Sequence, residues 1–361
     1  MDQAQDGGGG GGVDEHRHQL PEGAVERAAQ RIAGRVAHTP LLGSRTAAQL
    51  IAERTGVRLG APSGGGTRPR LFLKAEHLQV TGSFKPRGAC NKLLELTAEE
   101  RQRGLITLSA GNHAQAVAYA AAAEGIPVTV VMPIGASPAK AAAAAAYGAE
   151  VVLHGQDVGE TFARMEELRD ERGLVFVHPF DDPAVIAGQG TVGLEILEDL
   201  PDVDVIVVGV GGGGLISGIA TAVGRARPAT RIYGVEPVGS SAMTSALAAG
   251  SVIPVQPVSI ADGLGAPFAG ARTLDIVRQL VEAVVLVEEA VIANGVRFAL
   301  ERMKQVLEPA GAAALGALLA GRIPLDDDAT VCVVASGGNL DLERLPAILD
   351  LAGPRSSTGL T

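Results

Sequence analysis

The sequence predicts an α/β protein with two doubly wound, mostly parallel-sheet domains. The length of 361 residues suits about two domains of ~150 residues each. Short apolar runs alternate with helical stretches along the chain, as in βαβ units. Glycine is about twice as frequent as the usual ~7%, and much of it follows the apolar runs, where parallel sheets bind their ligands.

The elements follow one another in a regular order. A helix over about 45–56 precedes a strand over 71–74. Four strands are then expected at intervals of 23 or 24 residues, beginning near Leu105, Val128, Val151 and Val175. The intervening helices are predicted over 113–124, 138–146 and 157–172, and four later strands over 204–209, 231–236, 284–287 and 330–336. Strands at this spacing with helices between them are parallel.

Composition excludes several classes of protein. The net charge of −10 is a poor match to nucleic-acid phosphates, and the absence of Trp leaves little on which bases could stack. No apolar run approaches the ~18–20 residues that span a membrane, and the acidic residues 1–6 differ from a signal peptide. Cys90 and Cys332 form no metal-binding spacing and indicate two core thiols in a reducing compartment. We therefore expect a cytoplasmic protein with neither a nucleic-acid nor a membrane partner.

A glycine-rich turn follows one of the buried strand runs. Gly209, Gly211 and Gly214 satisfy the pattern GxGxxG, and Glu236 lies 22 residues after Gly214, as in dinucleotide-binding folds. A nicotinamide-dependent oxidoreductase is therefore one interpretation. The four consecutive glycines 211–214 suit a terminal phosphate monoester better, because bare backbone N–H groups at a helix N-terminus hold any phosphate.

A lysine lies in a turn directly before a predicted helix. Pro86 occupies the start of that helix, after Lys85, and Arg87 follows. Desolvation and the neighbouring cation would lower the Lys85 pKa, so that its neutral amine could form an imine. A solvated lysine in a surface turn is the alternative interpretation.

Two further polar stretches follow strand ends. The helix start over 109–113 comprises Ser109, Ala110, Gly111, Asn112 and His113. Its backbone N–H groups could hold a carboxylate. His113 could act as a general base, although a local hydrogen bond is the plainer interpretation. Ser336 places a hydroxyl after the run 331–335, with two glycines and Asn339 behind it.

Together these stretches resemble the fold-type II pyridoxal-phosphate enzymes, in the branch of serine/threonine dehydratases (threonine ammonia-lyases) and serine racemases. The likeness extends over about residues 22–350 and includes two more stretches, 187–191 and 308–312. It implies a tryptophan synthase β-like fold, with the active site in the cleft between the two domains, and pyridoxal 5′-phosphate as the cofactor.

This likeness also suggests a division of the chain. We expect residues 21–103 with 182–352 to form the large, cofactor-binding domain and residues 104–181 to form the small one. Residues 1–20 are expected to be a disordered tail and residues 353–361 a second tail. The glycine-rich residues 60–70 are expected to loop out, with no assignable role.

The resemblance implies a role for each matching position. Lys85 would bind the cofactor as an imine and take the Cα proton of the substrate. The cofactor phosphate would lie on Gly211, Gly212, Gly213 and Gly214, its ring oxygen on Asn112, its pyridine nitrogen on Ser336, and its ring near Glu308. The substrate carboxylate would bind the loop of Ser109, Ala110, Gly111, Asn112 and His113. From its residue type alone, the apolar Phe180 after Pro179 is a candidate to suit a small apolar substrate group such as a methyl.

The implied reaction is β-elimination, the dehydration and deamination of L-threonine and L-serine to 2-oxobutanoate and pyruvate with ammonia. A serine cannot keep the pyridine nitrogen protonated as an aspartate would, so elimination is favoured over long-lived carbanions. The alternatives are an ammonia-lyase for 3-hydroxyaspartate or phenylserine, and a β-replacement enzyme such as threonine or cysteine synthase. More distant ones are an NAD-dependent oxidoreductase and a non-catalytic amino-acid-binding module.

Departures from the family pattern bear on the expected reaction, the metal site and the domain content. Ala110 stands where racemases of this branch have a second serine, so racemisation by two bases is not expected. Ala242 stands where an aspartate would bind a divalent metal. Glu236 is then the one remaining candidate ligand, and it would either hold a structural cation or cap a strand. The chain ends soon after the core, so we expect no regulatory domain. Family analogy suggests a homodimer or homotetramer.

Overall fold

The computed structural model describes residues 19–59 and 70–353. Within these residues the strands are β1 (Leu41–Gly43), β2 (Leu71–Lys74), β3 (Leu105–Leu108), β4 (Val128–Met132), β5 (Glu150–Leu153), β6 (Val175–Phe176), β7 (Val205–Gly209), β8 (Arg231–Pro237), β9 (Ala283–Val287) and β10 (Val331–Val334). The helices are α1 (Ala24–Ile32), α2 (Arg45–Thr55), α3 (Lys85–Leu94), α4 (Ala98–Arg103), α5 (Asn112–Glu124), α6 (Pro138–Ala146), α7 (Val158–Arg172), α8 (Pro183–Asp199), α9 (Gly214–Ala226), α10 (Ala242–Ala249), α11 (Ala271–Leu280), α12 (Glu289–Phe298), α13 (Pro309–Leu319) and α14 (Leu345–Leu351). Short 3-10 turns cover Glu76–Leu78, Val80–Gly82, Asp262–Leu264 and Leu342–Arg344, and a π-helical turn covers Ala299–Met303.

The strands form two sheets. In the larger sheet the order is β1-β2-β10-β7-β8-β9, and neighbouring strands are parallel except for β1 with β2. In the smaller sheet the order is β5-β4-β3-β6, and all neighbouring strands are parallel. The predicted α/β class with two mostly parallel sheets is confirmed.

The predicted elements agree closely with the observed ones. β2 and α6 have the predicted bounds, and the strands expected near Leu105, Val128 and Val175 begin at those residues. The strand expected near Val151 begins one residue earlier, at Glu150. The strand predicted over 330–336 is shorter, since β10 covers only Val331–Val334.

Burial on both faces explains the composition of the central strands. All residues of β7 (VIVVG) and β10 (VCVV) are buried, as expected for parallel strands covered by helices on both faces. Cys332 of β10 and Cys90 of α3 are free and buried, as predicted for core thiols. Burial raises the pKa of Cys90 to about 11 and that of Cys332 to about 12, so neither is a nucleophile at neutral pH.

Glycines bring α3, α8 and α9 into backbone contact. A Cβ at Gly188 of α8 would lie 2.4 Å from the Arg87 carbonyl oxygen of α3. A Cβ at Gly218 of α9 would lie 2.4 Å from the Ile186 carbonyl oxygen of α8. Even a methyl group at either position would push the helices apart. Because α3 begins at Lys85, this contact sets the position of that lysine against the large sheet.

The domain boundaries stay a prediction, although the four strands of the smaller sheet all come from the segment 104–181. Most of the two expected tails and nearly all of the insert 60–70 lie outside the described residues. Leu20, at the end of the first expected tail, is buried against α1 and α8. No helix within residues 19–59 and 70–353 combines the length and apolarity needed to cross a bilayer.

Candidate active site

A cleft of about 330 Å³ lies where elements of the two sheets face each other. This volume is within the range of small-molecule sites. Its lining includes the predicted site residues Lys85, Ser109, Ala110, Gly111, Asn112, His113, Phe180, Gly211, Gly212, Gly213, Gly214, Glu308 and Ser336. Of the predicted residues, Glu236 lies outside it. Residues that are distant along the chain are thus brought to one place, at the carboxyl ends of the strands.

Lys85 is the first residue of α3 and projects into the cleft. Its Nζ donates a hydrogen bond to the Pro179 carbonyl oxygen at 2.9 Å and lies 5.1 Å from the centre of the Phe84 ring. Burial lowers the pKa of Lys85 to about 8, so a substantial fraction of the amine is neutral near pH 8. A neutral amine is the nucleophilic form that imine chemistry requires.

The expectation that Arg87 lowers this pKa was wrong. The Arg87 guanidinium is fully buried and binds the Glu76 carboxylate at 2.8 Å and the Glu195 carboxylate at 2.6 Å. The Lys74 ammonium also binds Glu195, at 2.6 Å. The arginine charge is therefore neutralised by two carboxylates, and burial alone accounts for the lowered pKa of Lys85.

The glycine turn connects β7 to the N-terminus of α9. Gly213 has φ +94°, and a Cβ there would lie 2.6 Å from the Met243 Cε atom. The Gly212 carbonyl oxygen accepts a hydrogen bond from the Thr273 hydroxyl at 2.7 Å, which fixes the turn from α11. Free N–H groups at a helix N-terminus, with no side chain in the way, suit a phosphate group.

Phe180 packs on this turn. A Cβ at Gly212 would lie 2.3 Å from the Phe180 ring, so the glycine is what permits the contact. The ring also meets His178 edge-on at 4.6 Å and Phe268 at 5.7 Å between centres. Phe180 therefore forms a wall of the cleft beside the glycine turn, and its role toward the substrate stays a prediction.

Asn112 and Glu308 meet in the cleft. The Asn112 side-chain nitrogen donates to the Glu308 carboxylate at 2.5 Å. Glu308 is 3% exposed, and burial raises its pKa to about 7. A Cβ at Gly337 would lie 2.2 Å from the same carboxylate, which explains the glycine after Ser336. The Ser336 hydroxyl lines the cleft and makes a long contact, 3.4 Å, to the Ala310 carbonyl oxygen.

We expect Glu308→Gln to stabilise the cofactor-free protein at pH 8 but not at pH 5. The unfolded carboxyl ionises near its usual 4.5, whereas the folded one keeps its proton up to about pH 7. The folded state therefore loses stability between these values, by about 3 kcal/mol in total, and glutamine removes that loss. Urea unfolding at both pH values measures it, and an equal difference at pH 5 and pH 8 would contradict the prediction.

His113, the second residue of α5, does not make the local hydrogen bond that was the plainer expectation. The His113 Nε2 donates to the Val177 carbonyl oxygen at 3.2 Å, just after β6, so its bond is not local. Burial lowers the pKa of His113 to about 3, and the ring is neutral at pH 7. The Gly111 N–H donates to the Ser109 hydroxyl at 3.1 Å, which shapes the loop.

Glu236 lies at the end of β8, away from the cleft. Its buried carboxylate accepts hydrogen bonds from the Met243 and Thr244 N–H groups at 2.7 and 2.8 Å and from the Thr244 hydroxyl. It thus caps the N-terminus of α10. In the described ranges, no group of three or more His, Cys, Asp or Glu is placed to hold a metal ion. A structural cation at Glu236 stays a prediction.

Sequence reasoning missed the contacts of several polar groups in and beside the cleft. Lys140 of α6 forms an ion pair with Asp262 at 2.7 Å, and both line the cleft, one on the side of each sheet. His178 receives the Phe180 and Asp181 N–H groups at its Nδ1. Asn339 binds Asn112 from outside the cleft. Only the position of Asn339, after the strand-end glycines, offered a signal in the sequence.

These groups fit the expected cofactor. A primary amine with a lowered pKa can bind the aldehyde of pyridoxal phosphate, and a side-chain-free turn at a helix N-terminus can bind its phosphate. The polar lining also includes the Asn112 amide and the Ser336 hydroxyl. All four groups face one cleft of suitable volume.

Sequence similarity to known proteins supports the same kind of site. The family model "Pyridoxal-phosphate dependent enzyme" matches residues 57–337. The L-threonine ammonia-lyase of Geobacter sulfurreducens is 43% identical over 92% of this chain and 78% of its own length. The catabolic L-threonine dehydratase TdcB of Escherichia coli K12 is 46% identical over 77% of this chain and 85% of its own.

Solved structures give the same result. Maize serine racemase superposes with a TM-score of 0.81 at 35% identity, covering 90% of this chain and 95% of the racemase. The threonine deaminase of "T.th." has a TM-score of 0.78 at 40% identity, covering 89% of this chain and 99% of the deaminase. With the lysine, the glycine turn and the cleft between two sheets, these similarities lead to one assignment: this chain belongs to the family of pyridoxal-phosphate dependent enzymes and has their type II fold.

Proposed function

We propose that this protein deaminates L-threonine, and also L-serine, to 2-oxobutanoate or pyruvate and ammonia. The observation that carries the proposal is the half-buried amine of Lys85, with a pKa of about 8, in one cleft with the glycine turn. Relatives named as threonine ammonia-lyase and threonine dehydratase, 43% and 46% identical to this chain, support the choice of reaction.

Each part of the cleft has a distinct task in this proposal. The N–H groups of 211–214 bind the cofactor phosphate, and those of the loop 109–113 bind the substrate carboxylate. The bound cofactor supplies an electron sink for the substrate Cα. With substrate bound, the free amine of Lys85 would accept the Cα proton. Its hydrogen bond to the Pro179 carbonyl oxygen gives the free amine a defined position.

Ser336 favours elimination over slower carbanion chemistry. A hydroxyl facing the pyridine nitrogen cannot hold that nitrogen protonated, because the pKa of a serine hydroxyl is far too high for it to carry a charge. The electron sink is then weak. Elimination depends on the sink least, because the β-hydroxyl leaves as the Cα proton is removed.

Ala110 favours elimination over racemisation. Racemisation needs a second proton donor on the opposite face of the substrate, and the methyl group of Ala110 has no proton to give. The similarity to maize serine racemase therefore supports the fold, whereas the loop 109–113 supports the lyase reaction.

We also propose that the protein is a cytoplasmic homodimer or homotetramer. In each subunit, residues 21–103 with 182–352 form the large domain, which holds the cofactor, and residues 104–181 form the small domain. The free state of Cys90 and Cys332 supports a reducing compartment. Light scattering of the purified protein gives the number of subunits. A monomer at assay concentration would contradict the oligomeric part.

The direct test incubates purified protein and pyridoxal phosphate with a panel of L-amino acids and measures 2-oxo acid, ammonia and D-amino acid. We expect equimolar 2-oxo acid and ammonia from threonine and serine, and no D-serine. Including 3-hydroxyaspartate and phenylserine ranks the possible substrates. A bound chromophore without 2-oxo acid from any β-hydroxy amino acid would refute the proposal and favour β-replacement.

A further inference from the structure

We infer that Asn339 is a positioning residue that determines which end of the Asn112 side-chain amide faces the cofactor. The inference rests on the proposed function, because Asn112 is expected to bind the cofactor ring oxygen. Asn339 lies outside the cleft, in a small adjoining cavity, so it can affect the bound cofactor only through another residue.

A backbone carbonyl fixes the direction of the whole chain of hydrogen bonds. The Asn339 side-chain nitrogen lies 2.8 Å from the Thr81 carbonyl oxygen, which can only accept. The same nitrogen lies 2.8 Å from the Asn112 side-chain oxygen. Asn339 therefore presents hydrogens to both, and Asn112 must turn its oxygen toward Asn339 and its nitrogen toward the cleft.

The other end of Asn112 agrees with this direction. Its nitrogen donates to Glu308 at 2.5 Å, and at pH 8, where the Glu308 carboxylate is mostly ionised, an amide oxygen in this place would be repelled. A side-chain amide nitrogen carries two hydrogens, so one remains for a ligand in the cleft. A negatively charged ring oxygen needs a donor at this place, and a reversed Asn112 would offer an acceptor.

Asn339 also holds the turn before Lys85. Thr81 and Gly82 have φ values of +62° and +73°, and a Cβ at Gly82 would lie 2.4 Å from the Asn339 side-chain oxygen. This second contact gives an alternative explanation for any effect of substituting Asn339, namely a displaced Lys85. The test therefore has to separate the effect on Asn112 from the effect on the turn.

The experiment is a double-mutant cycle on the protein loaded with pyridoxal phosphate. Asn339→Leu removes the donor without adding charge, and Asn112→Ala removes the group on which Asn339 acts. We measure the dissociation constant of pyridoxal phosphate and the visible absorption and circular dichroism spectra of the bound cofactor. Thr81→Gly is the control for the turn, since it relaxes the left-handed residue and keeps the carbonyl oxygen.

We expect each single variant to weaken cofactor binding about tenfold, as for the loss of one hydrogen bond to a charged group, and the double variant to weaken it no further. Both single variants should show the same altered spectrum, whereas Thr81→Gly keeps the wild-type spectrum. A wild-type spectrum in Asn339→Leu, or a hundredfold loss in the double variant, would overturn the inference.

Two features keep the outcome unambiguous. If Asn339→Leu fails to fold, Asn339→Asp has the same shape and also lacks the donor, so the same altered spectrum is expected. Wild-type protein that binds pyridoxal phosphate without deaminating threonine refutes the proposed function and leaves the cycle interpretable. If the wild-type protein is active and the losses in cofactor affinity of the two single variants add in the double variant, only the role of Asn339 is refuted.

Discussion

Replacing Lys85 with alanine is expected to abolish threonine deamination, with a loss of at least about 10⁴-fold in turnover. The reason is that the proposed reaction uses this one amine both to hold the cofactor and to accept the substrate proton. The variant should also release pyridoxal phosphate on gel filtration, whereas the wild type retains its chromophore. The measurement is the rate of 2-oxobutanoate formation together with the visible spectrum of the filtered protein.

Lys92 provides the matched control. It lies on the same helix, α3, and its ammonium forms a partly exposed ion pair with Asp182 at 2.7 Å. Lys92→Ala should retain both the chromophore and most of the activity. Equal losses in the two variants would mean that the lysines act by stabilising α3, and the role assigned to Lys85 would have to be abandoned.

Replacing Arg87 with methionine is expected to destabilise the protein by about 3–5 kcal/mol, as for other buried ion pairs that lose one partner. The change leaves two carboxylates, those of Glu76 and Glu195, near one remaining cation, Lys74. Glu76 is fully buried and, among the described residues, keeps only the Thr39 hydroxyl as a side-chain partner. Urea unfolding of wild type and variant measures the difference.

Arg172→Met is the comparison for an exposed pair. Arg172 binds Glu150 at 2.7 Å, but their side chains are 43% and 52% exposed, so we expect a loss below about 1 kcal/mol. Similar losses in the free energy of unfolding for Arg87→Met and Arg172→Met would show that burial of the Arg87 ion pairs adds little to stability.

Local patterns in the sequence predicted the elements, the glycine turn and the polar stretches after the strands, whereas the roles of these groups and of Glu308 came from the family resemblance. The apolar runs of β7 and β10 indicate strands buried on both faces, and the glycines at 211–214 indicate a turn without side chains. Parallel strands then bring their carboxyl ends to one edge of a sheet, so groups that follow neighbouring strands, such as the glycine turn after β7 and Ser336 after β10, meet without any further information.

Partners of individual side chains could not be predicted in this way. Lys85 bonds to Pro179, 94 residues along the chain, and Asn112 bonds to Asn339, 227 residues along it. Such contacts depend on how the two sheets face each other and on the rotamers of the side chains that meet there. The error about Arg87 has the same origin, because its guanidinium binds the distant carboxylates of Glu76 and Glu195.

The glycine contacts between α3, α8 and α9 have a consequence for laboratory evolution of substrate range. Libraries that include Gly188 or Gly218 will be depleted of folded members, because the obstructing atoms are backbone carbonyls that cannot change rotamer. Val158 of α7 lines the opposite side of the cleft, is 41% exposed and lies outside this helix contact. Diversity placed there samples the shape of the binding site at low risk to the scaffold that holds Lys85.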